Sequence, residues 1–137
     1  MNTVCITGAN RGIGLELTRQ LVARSDHVVA ACRRVSPALS DLGVEVIPGV
    51  DVTSDEGVAR LVDGLEGRDV HLLVNNAGVL TDEPLSELDF GRIRRQLEVN
   101  SLGPLRVTAA LRGNLVRGAK VAIITSRMGS ILSLIHI

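Results

Sequence analysis

Short runs of apolar residues alternate with longer amphipathic segments along most of the chain. The runs are continuously hydrophobic and rich in β-branched residues, which is typical of parallel strands covered by helices on both faces. They predict five strands, at residues 3–7, 27–32, 44–48, 70–75 and 120–125. Helical periodicity between them predicts helices near residues 13–24, 36–42, 54–66 and 87–117. This alternation indicates an open α/β domain whose ligand binds beyond the carboxyl ends of the strands.

Composition narrows the class of protein without identifying it. The 137 residues include fifteen basic and fifteen acidic side chains, so no net charge attracts nucleic acid or an anionic membrane. No apolar run approaches the roughly 18–20 residues of a membrane span, and the amino terminus lacks the pattern of a signal peptide. Cys5 and Cys32 lie in apolar strand patterns, which favours reduced core thiols over a disulfide. We therefore expect a cytoplasmic protein with neither a nucleic-acid nor a membrane partner.

A glycine-rich segment follows the first predicted strand directly. Gly8, Gly12 and Gly14 have the spacing G-x-x-x-G-x-G and lead into the helix that starts near Ile13. Gly8 allows a sharp exit from the strand, while Gly12 and Gly14 let backbone N–H groups approach a pyrophosphate at the positive end of the helix dipole. Glycines also serve ordinary turns, but their place between the first strand and first helix favours dinucleotide binding.

The end of the second strand indicates which dinucleotide is preferred. A site for NAD usually places an acidic residue there, whereas this strand ends in Cys32, Arg33 and Arg34. Arg11 of the glycine loop is expected near the same corner, and three guanidinium groups favour the 2′-phosphate of NADP(H). The alternative is that Arg33 and Arg34 are solvated loop charges. We expect NADP(H) to be preferred over NAD(H).

Asn100 stands out in the fourth predicted helix because it falls on an apolar stripe. That stripe consists of Phe90, Ile93, Leu97, Val107, Leu111 and Leu115. Pro104 has no N–H, so the helical hydrogen bond to the carbonyl of Asn100 cannot form. The free carbonyl could hold a water or a donor. The alternative is a capped kink in a long helix.

Several segments, taken in chain order, resemble the short-chain dehydrogenase/reductase family. Within that family, their residues are most similar to the carbonyl-reductase-like, C-factor-like branch. Residues 7–14 match its TGxxxGxG loop, and residues 75–78 match its NNAG motif. Asp51 and Val52 resemble its adenine-contacting pair, residues 98–105 its helix with a catalytic asparagine, and residues 124–126 the strand end with a catalytic serine.

The resemblance implies a Rossmann-type doubly wound parallel sheet of order 3-2-1-4-5, truncated after the fifth strand. It implies an oxidoreductase that moves hydride between the nicotinamide and a small carbonyl or alcohol substrate, with a homodimer or homotetramer as the full-length protein. Asn100 would hold a relay water through its main chain, and Ser126 would hold the substrate oxygen. The cofactor-binding residues would be Thr7, Gly8, Asn10, Arg11, Gly12, Ile13, Gly14, Arg33, Arg34, Asp51, Val52, Asn76, Ala77 and Gly78. No cluster has metal-ligand spacing, so we expect no metal site.

The family's acid–base pair, Tyr-x-x-x-Lys, has no counterpart here. The chain contains no tyrosine, and its single lysine, Lys120, precedes Ser126. We expect no turnover from the chain as written, which leaves a non-catalytic nucleotide-binding or signalling module and a non-functional gene fragment as alternatives. Residues 132–137 equal the translation of a transposase end used as a sequencing adapter. We therefore interpret residues 1–131 as an incomplete NAD(P)-binding domain and residues 132–137 as a non-native tail.

Overall fold

A computed structural model of the chain describes residues 1–24 and 26–126, which form one five-stranded parallel sheet. The strand order is β3-β2-β1-β4-β5, as the sequence predicts. The strands are β1 (Thr3–Thr7), β2 (His27–Ala31), β3 (Glu45–Ile47), β4 (Val70–Asn75) and β5 (Leu115–Ile123). The α-helices are α1 (Gly12–Ala23), α2 (Pro37–Ser40), α3 (Asp55–Leu65), α4 (Phe90–Leu97) and α5 (Gly103–Ala110). The predicted tail at residues 132–137 lies outside the described residues.

Helices cover both faces of the sheet and create two cores. Along β1, Val4 and Ile6 pack on the side of α1 and α2, whereas Cys5 packs on the side of α3 and α5. The central strands are therefore buried on both faces, which explains why their sequences are continuously apolar. Cys5 and Cys32 are free, buried thiols in different cores, and burial raises the pKa of Cys5 to about 12. The predicted position of both cysteines in the core is confirmed.

The prediction of one helix over residues 87–117 is wrong. A π-helical turn at Glu98–Leu102 separates α4 from α5, and a 3₁₀ turn at Leu111–Gly113 ends the helical segment. The N–H of Gly103 donates to Glu98 O, five residues earlier, in the turn immediately before Pro104. Because Pro104 cannot donate a backbone hydrogen bond, an ordinary α-helical ladder cannot run through this point.

Only the second half of the predicted apolar stripe is buried. Val107 and Leu111 are fully buried against the sheet, whereas Phe90 and Leu97 are 60% and 56% exposed. No residue of α4 is buried, and this helical segment contributes to the core through Val99, Val107 and Leu111, which all follow α4. The periodicity identifies the helical segment correctly but not the point at which it stops covering the sheet.

Strand β5 is longer than predicted and begins five residues earlier. Leu115 pairs with Val70, and a bulge then shifts the register so that Lys120 pairs with Leu72 and Ile123 with Asn75. Polar residues and glycine in the bulge interrupt the apolar run, so hydrophobicity alone indicates only the second part of the strand. The other predicted elements agree with the structure within a few residues at their ends.

An ionic cluster joins β2, β3 and the end of α3 at the amino edge of the sheet. Arg68 Nη1 donates to Glu45 Oε2 at 2.6 Å, and His27 Nε2 lies 3.2 Å from the same oxygen. Arg68 also donates to the carbonyl oxygens of Leu65 and Gly64 at the end of α3. The hydrogen bond from Arg68 holds the pKa of Glu45 below its usual value, although burial opposes the shift.

Two statements about other classes of site concern the described residues alone. No helix within residues 1–24 and 26–126 combines the length and the apolar character needed to cross a bilayer. In the same part of the chain, no group of three His, Cys, Asp or Glu side chains is arranged to hold a metal ion.

Replacing Leu61 tests the core on the α3 side. Leu61 is fully buried, so we expect Leu61→Ala to lower the free energy of unfolding by about 2–5 kcal/mol. Urea unfolding followed by circular dichroism measures the change. Leu85 is 92% exposed, and the matched control Leu85→Ala should change the free energy by less than about 0.5 kcal/mol. Equal losses in the two variants would contradict the assigned core.

The Glu45 cluster predicts a pH dependence of stability. The pKa of Glu45 is lower in the folded than in the unfolded chain, so its contribution is present above the unfolded pKa of about 4.3 and is lost as pH falls through the folded value. We expect the stability advantage of the wild type over Glu45→Gln to shrink as pH is lowered from neutral to about 3. Denaturant unfolding across this range measures it, with Glu87→Gln, an exposed loop carboxyl, as the control. An advantage that does not change with pH would contradict the prediction.

Candidate functional site

A cavity of about 250 Å³ lies beyond the carboxyl ends of four strands. It is lined by residues that immediately follow β1, β2, β3 and β4, namely Gly8, Arg33, Asp51 and Asn76 among others. Open parallel sheets bind their ligands at this edge, where helix amino termini also point. The other lining residues are Asn10, Arg11, Gly12, Ile13, Gly14, Cys32, Val50, Val52, Ala77, Gly78, Val79, Arg95 and Val99.

The glycine loop is held closely against the segment after β4. A Cβ at Gly14 would collide with the carbonyl oxygen of Gly8 and with the side chain of Asn76, and a Cβ at Gly8 would lie 2.8 Å from Ala77 Cα. Gly8 also has a φ of +68°, which side-chain-bearing residues rarely adopt. Ser36, the N-cap of α2, donates to Asn10 O at 2.5 Å and fixes the outer part of the loop.

Helix α1 begins inside this loop, as predicted. Arg11 is its N-cap residue and provides no side-chain hydrogen bond to the first turn. Gly12, Ile13 and Gly14 of that turn line the cavity. The first N–H groups of a helix have no intrahelical partner and carry a partial positive charge, so this end of the cavity is suited to an anion.

Thr7, which the family resemblance places among the cofactor-binding residues, does not line the cavity. It is 1% exposed, and its Oγ1 accepts from the N–H groups of Asn76 and Ala77, both at 3.1 Å. Asn76 Nδ2 donates in return to the carbonyl oxygens of Thr7 and Gly8 at 3.1 and 3.0 Å. Because the hydroxyl is occupied by backbone donors, Thr7 joins the ends of β1 and β4 and positions the loop.

The arginines differ in part from the predicted set. Arg11 and Arg33 both line the cavity, but the exposed Arg34 does not. Successive side chains of a chain leaving a strand project in different directions, so only one of Arg33 and Arg34 faces inward. Arg95 of α4 lines the cavity as well, and it is not among the site residues that the sequence analysis proposed. Arg95 lies four residues before Val99 and therefore on the same helix face. This spacing could have indicated that Arg95 lies near the cavity.

Asp51 is the carboxylate that lines the cavity, and it is held in place locally. Its Oδ1 accepts from Thr53 N at 2.9 Å and from Thr53 Oγ1 at 2.7 Å. Burial alone would raise the pKa of Asp51, but these hydrogen bonds, with the charges of Arg95 and Arg33, leave that pKa below its usual value. Asp51 is therefore an ionised hydrogen-bond acceptor at neutral pH.

Asn100 is exposed and forms a two-point contact with the loop that follows β4. Its Nδ2 donates to Val79 O at 2.7 Å, and its Oδ1 accepts from Val79 N at 2.9 Å. The expectation that its side chain lies on a buried stripe is wrong, because the π-helical turn places Asn100 beside the NNAG loop. This side chain fixes the position of Val79, which lines the cavity.

The remaining predicted positions lie at the same edge of the sheet. Asn75 ends β4, and its Nδ2 donates to Thr108 Oγ1 of α5 at 3.2 Å, while its buried Oδ1 has no partner among the described residues. Ser126 follows β5, three residues after the last residue of that strand, and does not line the cavity. All predicted cofactor residues other than Thr7 and Arg34 line the cavity.

The sequence of the chain is similar to those of known dehydrogenases. The chain is 45% identical over 133 residues to 1-hydroxy-2-glutathionyl-2-methyl-3-butene dehydrogenase of Rhodococcus sp. strain AD45, covering 96% of this chain and 59% of that protein. It is 32% identical to bovine retinol dehydrogenase 8, covering 93% of this chain and 45% of the relative. The chain thus spans about half the length of these relatives.

Solved structures agree with the sequence relatives. A carbonyl reductase from Pseudomonas aeruginosa PAO1 in complex with NADP superimposes with a TM-score of 0.89 at 31% identity, covering 96% of this chain and 64% of that one. The family model described as short chain dehydrogenase matches residues 2–134. With the strand order and the glycine loop, this match shows that the chain belongs to the short-chain dehydrogenase/reductase family of oxidoreductases.

Proposed function

We propose that this chain forms the cofactor-binding part of an NADP(H)-dependent oxidoreductase acting on a small carbonyl or alcohol. The observation that carries the proposal is the cavity beyond four strand ends, bounded by a glycine loop, a helix amino terminus and arginines. Bound there, the nicotinamide would supply or accept hydride. Residues 1–131 would form the binding domain, and residues 132–137 would be a non-native tail.

The charge of the cavity favours the phosphorylated dinucleotide. Its charged lining residues are Arg11, Arg33, Arg95 and Asp51, so three cations and one anion leave a net charge of +2. The segment from Cys32 to Arg34 after β2 contains no carboxylate to receive the ribose hydroxyls of NAD. Arg11 and Arg33 would instead hold the 2′-phosphate through charge-assisted hydrogen bonds. A homologous carbonyl reductase has been solved in complex with NADP, which supports the same choice.

The shape of the site fits the remaining parts of the cofactor. Gly8 and Gly14 carry no side chain where they approach the segment after β4. The backbone N–H groups near Gly12 can therefore reach a pyrophosphate. Asp51 would accept from the adenine amine, with Val52 beside it, while Asn76, Ala77 and Gly78 would line a ribose. Cys5 and Cys32, both free and buried, fit a cytoplasmic enzyme.

The catalytic roles are proposed for two residues. Ser126, after β5, would hold the substrate oxygen, and Asn100 would contribute to the proton relay through its main chain. Its side chain, bonded to Val79, would keep the π-helical turn and the cavity loop together. The chain contains no tyrosine, so the family's usual proton donor is not among its residues.

Binding of NADPH and NADH tests the proposed function directly. Calorimetric titration of the chain should give tighter binding of NADPH than of NADH. We expect Arg33→Ala to weaken NADPH binding about 10- to 100-fold, because a hydrogen bond to a charged group is lost, and to leave NADH binding nearly unchanged. Arg34→Ala, which removes the same charge outside the cavity, is the matched control. Equal affinity of the wild type for both cofactors would refute the proposed preference.

Turnover is a separate measurement. We expect the chain to oxidise NADPH no faster than buffer does with small aldehydes or ketones, since no tyrosine can supply the proton. The absorbance of NADPH follows the reaction, and the binding titration confirms that the chain tested is folded and loaded. A rate above that of buffer would show that another residue of this chain provides the acid. Failure to bind either cofactor would instead favour the non-functional fragment.

A further inference from the structure

Arg95 is the charged lining residue of the cavity that no motif of the sequence indicated. It lies in α4, and Val99, one helical turn further on and buried, lines the same cavity. The neighbouring Arg92 pairs with Asp89 and Glu83, whereas Arg95 makes no salt bridge within the part of the chain that the structure describes. Its guanidinium is therefore available to a ligand in the cavity.

Arg95 lines the cavity together with one carboxylate, Asp51, and with the apolar side chains of Val52, Ala77 and Val99. We call the part of the cavity lined by these residues the slot. The hydrogen bonds from Thr53 lower the pKa of Asp51 against the effect of burial, and the charges of Arg95 and Arg33 lower it further.

The wall that carries Asp51 and Val52 is fixed from the side of α5. Arg106 Nη1 donates to Val52 O at 2.9 Å. A Cβ at Gly103 would lie only 2.8 Å from Val52 Cγ2. The slot on which Arg95 borders is therefore built before any ligand arrives.

The two arginines whose charges act on Asp51 come from different elements. Arg33 follows β2, next to the glycine loop that carries Arg11, whereas Arg95 belongs to the helix after β4. Arg11 is the N-cap residue of α1, so it belongs to the same loop as the helix amino terminus. A planar guanidinium beside an apolar slot with a carboxylate acceptor matches a flat aromatic ring that bears an amine.

We propose that Arg95 stacks its guanidinium on the adenine ring of the bound dinucleotide and makes the site selective for this base. The inference rests on the proposed function, since it places the adenine between Val52 and Val99 with its amine on Asp51. Arg95 thus contributes to the binding of NADPH and NADH alike. Arg33, in contrast, recognises the 2′-phosphate that only NADPH carries.

Calorimetric titration of the full chain with NADPH and with NADH tests the inference. We expect Arg95→Ala to weaken both cofactors by the same factor, about 5- to 20-fold, the loss of one stacked cationic partner. Arg95→Lys should recover only a small part of the lost affinity. The ammonium group of lysine keeps the positive charge but lacks the planar surface of a guanidinium group. Arg94→Ala removes an equal charge one residue away, outside the cavity, and should leave both affinities unchanged.

The outcomes separate this inference from the proposed function. A loss confined to NADPH in Arg95→Ala would make Arg95 a phosphate ligand and overturn stacking. Full recovery in Arg95→Lys, or an equal loss in Arg94→Ala, would reduce its role to general charge and also overturn it. If the wild type binds both cofactors and Arg95→Ala binds equally well, only the inference fails. If the wild type binds neither, the proposed function fails and the inference fails with it.

Discussion

The contact between the glycine turn and the end of β4 is the constraint on which the site depends. Gly14 packs against Gly8 and Asn76 with no room for a side chain, and Asn76 bonds two carbonyl oxygens of the turn. This contact sets where α1 begins relative to the two central strands. Thr7 strengthens this contact, because its Oγ1 accepts hydrogen bonds from the backbone N–H groups of Asn76 and Ala77. The anion-binding end of the cavity is thus built from backbone and held by buried hydrogen bonds.

The other walls of the cavity are attached to this centre by neighbouring strands and by one helix. Arg33 and Asp51 follow β2 and β3, which continue the sheet on one side of β1. On the other side, α4 and the π-helical turn bring Arg95, Val99 and Asn100 toward the loop after β4. The cavity therefore combines the glycine turn with walls that come from elements far apart in sequence.

The elements that could be predicted are those whose local pattern also decides their packing. β1, β2 and β4 are buried on both faces, so their apolar runs define them, and glycine spacing located the start of α1 because close packing there excludes side chains. The strand order followed from the doubly wound pattern. The sequence also allowed us to predict most of the residues that line the cavity. That these residues bind a cofactor stays a prediction.

The features that the sequence did not predict correctly depend on tertiary contacts, and the spacing of residues along the chain carries no information about those contacts. Thr7 belongs to the matching motif, yet its hydroxyl is used by backbone donors. The amphipathic stripe did not reveal that no residue of α4 is buried, and the bulge in β5 interrupts the hydrophobic run that would have extended that strand. Arg95 resembled its solvated neighbours because charge alone does not show which helix face meets a cavity.

The π-helical turn between α4 and α5 accommodates one residue more than an α-helix would. A residue advances an α-helix by about 100°, so the wider turn changes the rotation of α4 relative to α5 by about that amount. Deletion of one residue from Glu98–Leu102 would remove this extra residue, while α5 could still pack through Val107. The face of α4 that carries Arg95 would then turn away from the cavity. The length of this segment therefore separates the helical phase that packs α5 from the phase that brings Arg95 to the cavity.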